Sequence, residues 1–404
     1  MKISDFCQTA AGGTPLKSNK EFYEGGKIPW LLSGEVGNKE ITSTKNFITD
    51  AGLKGSSAKV FPANTVVVAM YGATAGEVGI LKFEAATNQA VCGIYPNDRI
   101  IPEYLYYFFQ FNKEALVAQA VGNAQPNISQ QKIKNTEIPL PCINEQKRIV
   151  AALEQAFGDI DKVIDSTKKN LACVKELFDT VLESLLILNV SNNNKIKLGE
   201  ACTFKHGFAF KSDYFTEKSK FTLLTPGNFL EDGGYKDRKG KQKYYDGPFP
   251  PEFLLAKGDL LVAMTEQAVG LLGAPAIVPD DNSFLHNQRL GLVEITSKYQ
   301  GRINNEYLFH VFNTKYFRRK VQESASGVKV RHTSPKKMQE IEIHLPNDIA
   351  LQEEISSQLN QLKIMTLDAC NIYNKKIELL EKLRKSILHK TFTEKLTQSK
   401  GAAA

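Results

Sequence analysis

The sequence predicts an α+β protein in which two mixed modules lie in tandem, separated and joined by two long helices that pair as an antiparallel coiled coil. Three observations indicate this fold class. The 404 residues suffice for two domains with connecting elements, and 42% apolar with 24% charged residues is typical of domains that bury cores. Motifs of the first half recur in the same order in the second. Each half ends in a long stretch with helical spacing of apolar residues.

The internal repeat consists of short motifs that return about 200 residues later. The paired segments are residues 2–7 and 197–202, 64–70 and 257–264, 88–89 and 287–288, 103–105 and 306–308, and 137–141 and 342–346. Each match alone is weak, but several matches in one order predict a tandem duplication.

Within each half, strands are predicted first and helices later. Short β-branched or apolar runs such as residues 65–70 and 260–264 are bounded by Gly, Pro and Asn, which is typical of strands. The aromatic stretches 104–109 and 307–312 lead into helical spacing. We therefore expect the first module over residues 1–143 and the second over residues 191–347.

Two long helices are predicted over residues 144–190 and 348–397, because apolar side chains recur there at intervals of three and four. Gly158 is a weak point of the first helix. A helix of this length needs a partner to bury its apolar stripe, so we expect the two to pair antiparallel. The stripe comprises Val150, Leu153, Phe157, Ile160, Ile164, Leu171, Val174, Phe178, Val181, Leu185 and Leu188, then Ile355, Leu359, Leu362, Ala369, Tyr373, Leu380, Leu383 and Ile387. Residues 398–404 are interpreted as a tail of artificial origin.

Composition favours a cytoplasmic protein with an anionic partner. The formal net charge is +7 and the sequence pI is about 8.8. The six cysteines form no C-x-x-C pair, which argues against a zinc ribbon and a disulfide framework. Neither a signal segment nor an apolar run of membrane-spanning length is present, so we expect no membrane association.

No constellation of residues predicts catalysis or metal binding. Residues 72–79 lack the lysine of a phosphate-binding loop and are interpreted as a tight turn. The six histidines offer no metal-ligand pair at helical or loop spacing. We therefore expect a chain without enzymatic activity, and an enzyme fragment is disfavoured.

The segment 235–245 is the strongest candidate for contact with nucleic acid. It places five cations and three aromatic residues in a glycine-flanked loop. Such cations attract phosphates, and arginine and glutamine can reach base edges in a groove. A solvated loop is the alternative interpretation. The residues expected to bind DNA here are Arg238, Lys239, Lys241 and Lys243.

Two further loops, residues 122–127 and 327–332, begin with glycine and occupy equivalent places in the repeat, but their polar tips differ. A scaffold with two specificities needs such differing tips, although each loop could be a plain turn. The residues expected to bind DNA here are Gln125, Asn127, Lys329 and Arg331. A structural adaptor, in which the coiled coil scaffolds proteins and the modules bind peptides, is the alternative function.

Several motifs resemble those of the specificity subunits of type I restriction-modification systems. Pro139-Leu140-Pro141 followed by Glu145-Gln146-Lys147-Arg148-Ile149 is similar to the opening of their conserved helix. Residues 71–80, 88–90 and 334–338 look like scaffold motifs of their target-recognition domains. The second half departs from the pattern: residues 350–355, Ala-Leu-Gln-Glu-Glu-Ile, replace it, and His344 stands where a proline would. This departure weakens the expectation of the same helix-start chemistry there.

The resemblance covers nearly the whole chain and carries expectations about function. It implies two target-recognition domains that each read one half of a split sequence in double-stranded DNA, with the helices fixing the gap. It also implies two methyltransferase subunits docked near the helices, together with restriction and translocase subunits. Those subunits would bind S-adenosylmethionine and ATP, so we expect no cofactor in this chain. The residues expected to contact partner subunits are Gln146, Arg148, Phe157 and Leu383.

Overall fold

The computed structural model describes residues 1–118, 127–188, 195–266, 270–327 and 330–401, with only the backbone for residues 188 and 395–401. The chain divides into two compact units. Unit 1 is Met1–Thr167 with Asn374–Ala404, and unit 2 is Lys168–Tyr373. Each unit contains one module and a part of both long helices, so the helices are shared between the units.

Unit 1 contains nine described strands and the start of the first long helix. The strands are β1 (Thr9–Ala11), β2 (Ile28–Leu31), β3 (Glu40–Ile41), β4 (Phe47–Ile48), β5 (Val60–Phe61), β6 (Val66–Ala69), β7 (Val78–Leu81), β8 (Ala85–Thr87) and β9 (Val91–Ile94). The helices are α1 (Asp50–Lys54), α2 (Pro102–Ala118), α3 (Gln130–Lys134) and α4 (Ile143–Glu183), which runs on into unit 2 and ends in a π turn over Ser184–Leu188.

Two sheets form the module of unit 1, in the orders β1-β9-β6-β7-β3 and β4-β2-β8-β5. Val66 and Val68 of β6 belong to the core that also contains α2, whereas Val67 and Ala69 belong to a second core on the opposite face. Both faces of this strand are therefore covered. This double coverage explains why the strand is a continuous apolar run and not an alternating one.

Unit 2 begins within α4 and contains thirteen described strands. These are β10 (Lys195–Lys197), β11 (Cys202–His206), β12 (Phe215–Thr216), β13 (Phe221–Leu224), β14 (Tyr244–Tyr245), β15 (Leu254–Leu255), β16 (Leu260–Ala263), β17 (Thr265–Glu266), β18 (Pro275–Ile277), β19 (Phe284–His286), β20 (Leu290–Ile295), β21 (Arg331–His332) and β22 (Glu342–His344). The helices are α5 (Leu198–Ala201), α6 (Asn305–Asn313), α7 (Lys315–Glu323), α8 (Pro335–Gln339) and α9 (Ile349–Gly401), which runs on into unit 1.

Each of the two main sheets of unit 2 repeats a four-strand order of unit 1, and among the described strands β3 and β12 are additions to one unit. The orders in unit 2 are β11-β20-β16-β18 and β12-β14-β13-β19-β15, beside the two small pairs β10-β22 and β17-β21. In both units the second sheet contains one parallel pair, β2 with β8 and β13 with β19. The tandem duplication predicted from the sequence is therefore confirmed in the fold.

The two long helices contribute to the core of each unit. In unit 1, Phe157 of α4 and Phe392 of α9 are buried in one cluster, and Asp161 pairs with Arg384 at 2.8 Å. In unit 2, Phe178 of α4 and Cys370 of α9 line one cleft. As residue numbers rise along α4, those of the facing residues on α9 fall, so the helices are antiparallel as predicted.

The packing differs from the predicted stripe at three places. Leu182 and Leu186 are buried where Val181 and Leu185 were expected, because the chain reaches the second module there and the helix widens into the π turn. Leu383 is 48% exposed and lies off the stripe, since Arg384 occupies the contact with α4. Helix α9 runs on through residue 401. Within the described ranges, every helix is too short or too polar to cross a membrane.

Candidate nucleic-acid interface

The basic loop, residues 235–245, is held by a buried asparagine of the preceding turn. A 3-10 turn over Pro226–Asn228 follows β13, and the Asn228 side chain is 1% exposed. Its Oδ1 accepts from the backbone N–H of Thr225 at 3.1 Å, and its Nδ2 donates to Oε1 of Gln242 at 2.8 Å. The carbonyl of Asn228 accepts from the N–H of Lys236 at 2.7 Å. Both ends of the loop are therefore fixed to one residue.

The cations of the basic loop point outward from this anchor. Lys239, Lys241 and Lys243 are exposed, whereas Arg238 is half-buried with its guanidinium packed over Gly227. Lys239 has a φ of 48°, a left-handed conformation, and its N–H donates to Oδ1 of Asp237 at 2.8 Å. The structure thus brings the four residues predicted for this loop together on one short 3-10 turn and its flanks. Fixed cations of this kind bind an anionic backbone without a large ordering cost.

Unit 1 contains a counterpart of this loop that sequence analysis missed. Glu35 ends the 3-10 turn after β2, as Asn228 ends the turn after β13. The Glu35 carboxylate accepts from the N–H of Leu32 at 2.9 Å and from the N–H of Lys45 at 3.0 Å, and also from the side chains of Thr44 and Asn46. Burial opposes ionisation, but these hydrogen bonds outweigh it and lower the pKa of Glu35. Glu35 therefore organises residues 42–46 as Asn228 organises the basic loop.

The two equivalent loops differ in chemistry. Residues 42–46 are Thr-Ser-Thr-Lys-Asn, against Arg-Lys-Gly-Lys-Gln-Lys over residues 238–243. The unit 1 loop borders a cleft of about 810 Å³ whose wall includes Lys17, Trp30 and Asn88. The Oδ1 atom of Asn88 is buried there with no hydrogen-bond partner among the described residues. Because the two loops share no motif, the repeat in the sequence provides no signal that identifies residues 42–46.

The loops over residues 122–127 and 327–332, here called the tip loops, end at equivalent places in the two units, as the repeat predicts. The N–H of Ile128 donates to the carbonyl of Met70 at 2.8 Å, and the N–H of Thr333 donates to that of Met264 at 3.0 Å. Asn127 is exposed beside Tyr71, with which it forms an isolated bridge. Gln125 and Lys329 lie outside the described residues.

Arg331 has a structural partner within unit 2. Its guanidinium lies 3.2 Å from Oε1 of Glu266, whose side chain is 1% exposed, and donates to the carbonyl of Gln322 at 2.8 Å. Glu266 in turn accepts from the N–H groups of Gly270 and Leu272 at 3.0 and 2.8 Å. Arg331 therefore neutralises a buried carboxylate that holds the neighbouring loop, and its guanidinium is only partly available to DNA.

A family model decides what kind of protein carries these two loops. The type I restriction modification DNA specificity domain matches residues 1–172 and again residues 191–381. The chain belongs to this family. It is thus a DNA-recognition subunit of the type I restriction-modification class, without catalytic activity of its own, and the resemblance noted in its motifs is confirmed.

Relatives of this specificity subunit carry the same designation. The MjaVIII specificity subunit of Methanocaldococcus jannaschii is 23% identical over 418 residues, which cover 98% of this chain and 92% of the relative. The EcoR124I/EcoR124II specificity subunit of Escherichia coli is 31% identical over 149 residues, 36% of this chain and 37% of the relative. The MjaIX subunit of M. jannaschii is 34% identical over 173 residues, 42% and 39% of the two chains. The last two alignments therefore span less than half the length of those relatives.

Solved structures show the same fold. A chain from a type I R-M system has a TM-score of 0.76 at 18% identity, covering 97% of this chain and 96% of its own. The HsdS subunit from Thermoanaerobacter tengcongensis has a TM-score of 0.58 at 17% identity, covering 97% and 95%. At these identities the similarity establishes the architecture of the specificity subunit.

Among the residues predicted to contact partner subunits, the structure separates two buried side chains from two exposed ones. Gln146 is fully buried and Phe157 is 7% exposed, so both face the interior of unit 1. Arg148 is exposed on α4, where it pairs with Glu145 at 2.8 Å, and Leu383 is exposed on α9.

The start of each long helix in the specificity subunit is fixed by a glutamine. In unit 1, Nε2 of Gln146 donates to the carbonyls of Arg99 and Pro141, both at 2.9 Å, and its Oε1 accepts from the N–H of Ile101 at 3.0 Å. The hydroxyl of Tyr104 donates to the carbonyl of Pro139 at 3.0 Å.

Gln352 makes the same contacts in unit 2. Its Nε2 donates to the carbonyls of Arg302 at 3.0 Å and Pro346 at 2.7 Å, and its Oε1 accepts from the N–H of Asn304 at 2.9 Å. Tyr307 donates to the carbonyl of His344 at 3.0 Å, as Tyr104 does to Pro139. The second half therefore keeps the helix-start chemistry that its departure from the pattern had made less secure, because Gln352 stands at the position equivalent to Gln146.

Proposed function

We propose that each module of this specificity subunit reads one half of a split target in double-stranded DNA, and that the two long helices set the gap between the halves. The observation that carries the proposal is the pair of equivalent loops. Residues 42–46 and 238–243 are held by Glu35 and Asn228 at equivalent positions of the repeated fold, but the first loop is rich in hydroxyl groups and the second is basic. Recognition of two different half-sites requires modules of the same fold whose DNA-facing loops differ in chemistry.

The basic loop supplies affinity, and the polar groups beside it supply discrimination. Exposed Lys239, Lys241 and Lys243 contact phosphates, which releases counterions and makes binding salt-dependent. In unit 1, exposed Lys17 lines the cleft beside residues 42–46, and Asn127 lies exposed at the end of the tip loop over residues 122–127. Base contacts of this kind each contribute about 1–3 kcal/mol of discrimination.

The helices also offer surface for the methyltransferase subunits. In unit 1, Leu379 and Leu383 are 53% and 48% exposed one helical turn apart on α9. In unit 2, Met365 and Ile372 are 68% and 66% exposed two turns apart on the same helix. Apolar side chains repeated at these spacings on a helix suit the packing of a partner protein. Arg148 adds an exposed cation on α4. The restriction and translocase subunits would join through this assembly, and S-adenosylmethionine and ATP would be bound by these partners.

The decisive experiment compares two charge-matched double variants in complex with the methyltransferase subunit. Arg238→Ala/Lys241→Ala removes two cations from the basic loop, and Lys298→Ala/Lys336→Ala removes two exposed cations elsewhere in unit 2. Affinity for a duplex that carries the methylated target is measured as a function of salt. The loop variant should bind more weakly, with a slope of log K against log salt that is smaller by up to about 1.8, while the control keeps the wild-type slope.

Two outcomes would count against the proposal. Equal affinity of the loop variant and the control at low and moderate salt would remove the basic loop from the interface. Genome-wide mapping of methylated adenines that yields no split motif would remove half-site recognition altogether, and a chain that binds proteins but no DNA would favour the adaptor.

A further inference from the structure

The glutamine at the start of each long helix joins three segments of its unit through one side-chain amide. In unit 1 these segments are the turn over residues 99–101, the proline-containing segment at residues 139–141, and α4 itself. Both Nε2 hydrogens and Oε1 are used, so the amide has no spare donor. Gln146 and Gln352 are both fully buried. Loss of either amide would leave two carbonyls and one N–H without their partner inside a core.

These bonds differ in kind from the apolar contacts between a module and its helix. Phe157 packs against Tyr107 with ring centroids 5.7 Å apart, and such apolar contacts tolerate small rotations because they are not directional. Hydrogen bonds lose strength steeply as their angles change. Three of them converging on one amide therefore fix the direction in which α4 leaves its module.

The three hydrogen bonds that attach each glutamine amide to the backbone of its unit are here called the glutamine joint. This joint is the same in both halves, although the residues around it differ. Gln146 is flanked by Glu145 and Lys147, whereas Gln352 is flanked by Leu351 and Glu353. The flanking residues are mostly exposed and carry different charges, yet the partners of the amide are equivalent backbone groups in both units. Stability alone could be met by different packing in each half. An identical joint indicates that the geometry of attachment itself is required.

We propose that Gln146 and Gln352 are positioning residues. By fixing each module to the long helix that follows it, they restrict the complex to targets with one length of gap between the half-sites. The inference rests on the proposed function, because it explains how helices that set the gap can exclude targets whose gap is one base pair longer or shorter. Neither side chain touches DNA in this assignment. Their effect is on which spacing is accepted, and much less on how tightly the correct spacing is bound.

The test uses the full chain in complex with its methyltransferase subunit. Gln146→Met and Gln352→Met keep the length of the side chain and remove all three hydrogen bonds. Methylation rates are compared on duplexes with the natural gap and with one base pair added or removed. The ratio of natural to altered gap should fall about tenfold in each variant, while the rate on the natural gap changes less. In hydrogen exchange, the N–H of Ile101 in Gln146→Met and of Asn304 in Gln352→Met should exchange about tenfold faster.

Thr167→Val is the matched control, because it removes a buried side-chain hydrogen bond of 2.7 Å that lies wholly within α4. It should leave the gap ratio unchanged. A wild-type ratio in both glutamine variants, or an equal loss in the control, overturns the positioning role and leaves the proposed function standing. A wild-type complex that methylates all gaps equally overturns the proposed function, and the positioning role with it. Unchanged exchange at Ile101 and Asn304 contradicts the joint itself.

Discussion

Arg331, which the sequence predicts to contact DNA, also has a structural role in unit 2. Its guanidinium satisfies the carboxylate of Glu266, which is 1% exposed and also accepts two backbone N–H groups. Sequence analysis could identify the cation at the loop tip, but not its partner, which lies 65 residues earlier in the chain. The clustering of the five cations of the basic loop could be predicted because they are neighbours in sequence. Contacts between distant residues decide which cations are free, and a single sequence does not give them.

Replacing Arg331 should therefore affect the unfolding free energy of unit 2 more than the affinity for DNA. Arg331→Ala leaves the buried carboxylate of Glu266 without its ion-pair partner, and we expect unit 2 to lose about 2–3 kcal/mol of unfolding free energy in urea. The double variant Arg331→Ala/Glu266→Gln should regain part of that loss, because the uncompensated charge is gone. Lys336→Ala, an exposed cation of the same unit, serves as the control. Unchanged stability together with weaker DNA binding would identify Arg331 as a direct DNA contact instead.

Among the elements, the long helices were the most predictable and their exact packing the least. Heptad spacing located both helices and the buried positions from Val150 to Ile164. Heptad spacing predicted that Val181 and Leu185 are buried, but Leu182 and Leu186 are buried instead. The spacing of apolar residues within the helix reveals neither the π turn nor the packing of the second module at this end. Arg384 replaced Leu383 at the helix contact because its long stem and planar head pack over Phe157 at 4.8 Å.

Gly158 is a site where α4 can be stabilised by a single substitution. A Cβ atom built there meets no atom within 4 Å, and the backbone is helical. Gly158→Ala should raise the unfolding free energy of unit 1 by about 0.5–1 kcal/mol, because the unfolded chain loses conformational freedom. Gly25→Ala is the control: its Cβ also meets open space, but φ is +72°, so the same change should cost about 1 kcal/mol. Denaturant unfolding that shows equal shifts for both would contradict this account.

At the scale of the whole molecule, the repeat made the fold predictable. Matching motifs gave two modules and two helices, and the sheet orders of the two units agree with that prediction. The sequence did not reveal that each compact unit takes a part of both helices, because that division depends on contacts across more than 200 residues. It also concealed the equivalence of residues 42–46 and the basic loop, which have different compositions.

The two units should respond differently to acid. Burial lowers the pKa of His286 and of His310 to about 4, from an ordinary value of 6.5, and both lie in unit 2. Each is neutral in the folded unit, whereas the unfolded chain takes up a proton below pH 6.5. Stability is thus complete above pH 6.5 and falls as the pH drops from 6.5 to about 4, by up to roughly 3 kcal/mol for each histidine. Unit 1 contains only His389, which is exposed.

Hydrogen exchange measured between pH 7 and pH 4.5 on the folded chain, corrected for intrinsic rates, checks this difference. Protection in the core of unit 2 should decrease while that of unit 1 is retained. The variant His286→Gln/His310→Gln should show a flatter dependence on pH in unit 2. A parallel loss of protection in both units would mean that carboxylates, and not these histidines, govern the acid response.

The matched glutamine joints have a consequence for how such a protein acquires new targets. Each module is attached through backbone carbonyls and N–H groups, which any sequence provides, to an amide on the adjoining helix. The attachment is therefore indifferent to the side chains displayed at the loop tips. On the proposed function, a gene segment that encodes one module can be exchanged for another with the same joint, and a new half-specificity then requires recombination at two points and no redesign of the remainder.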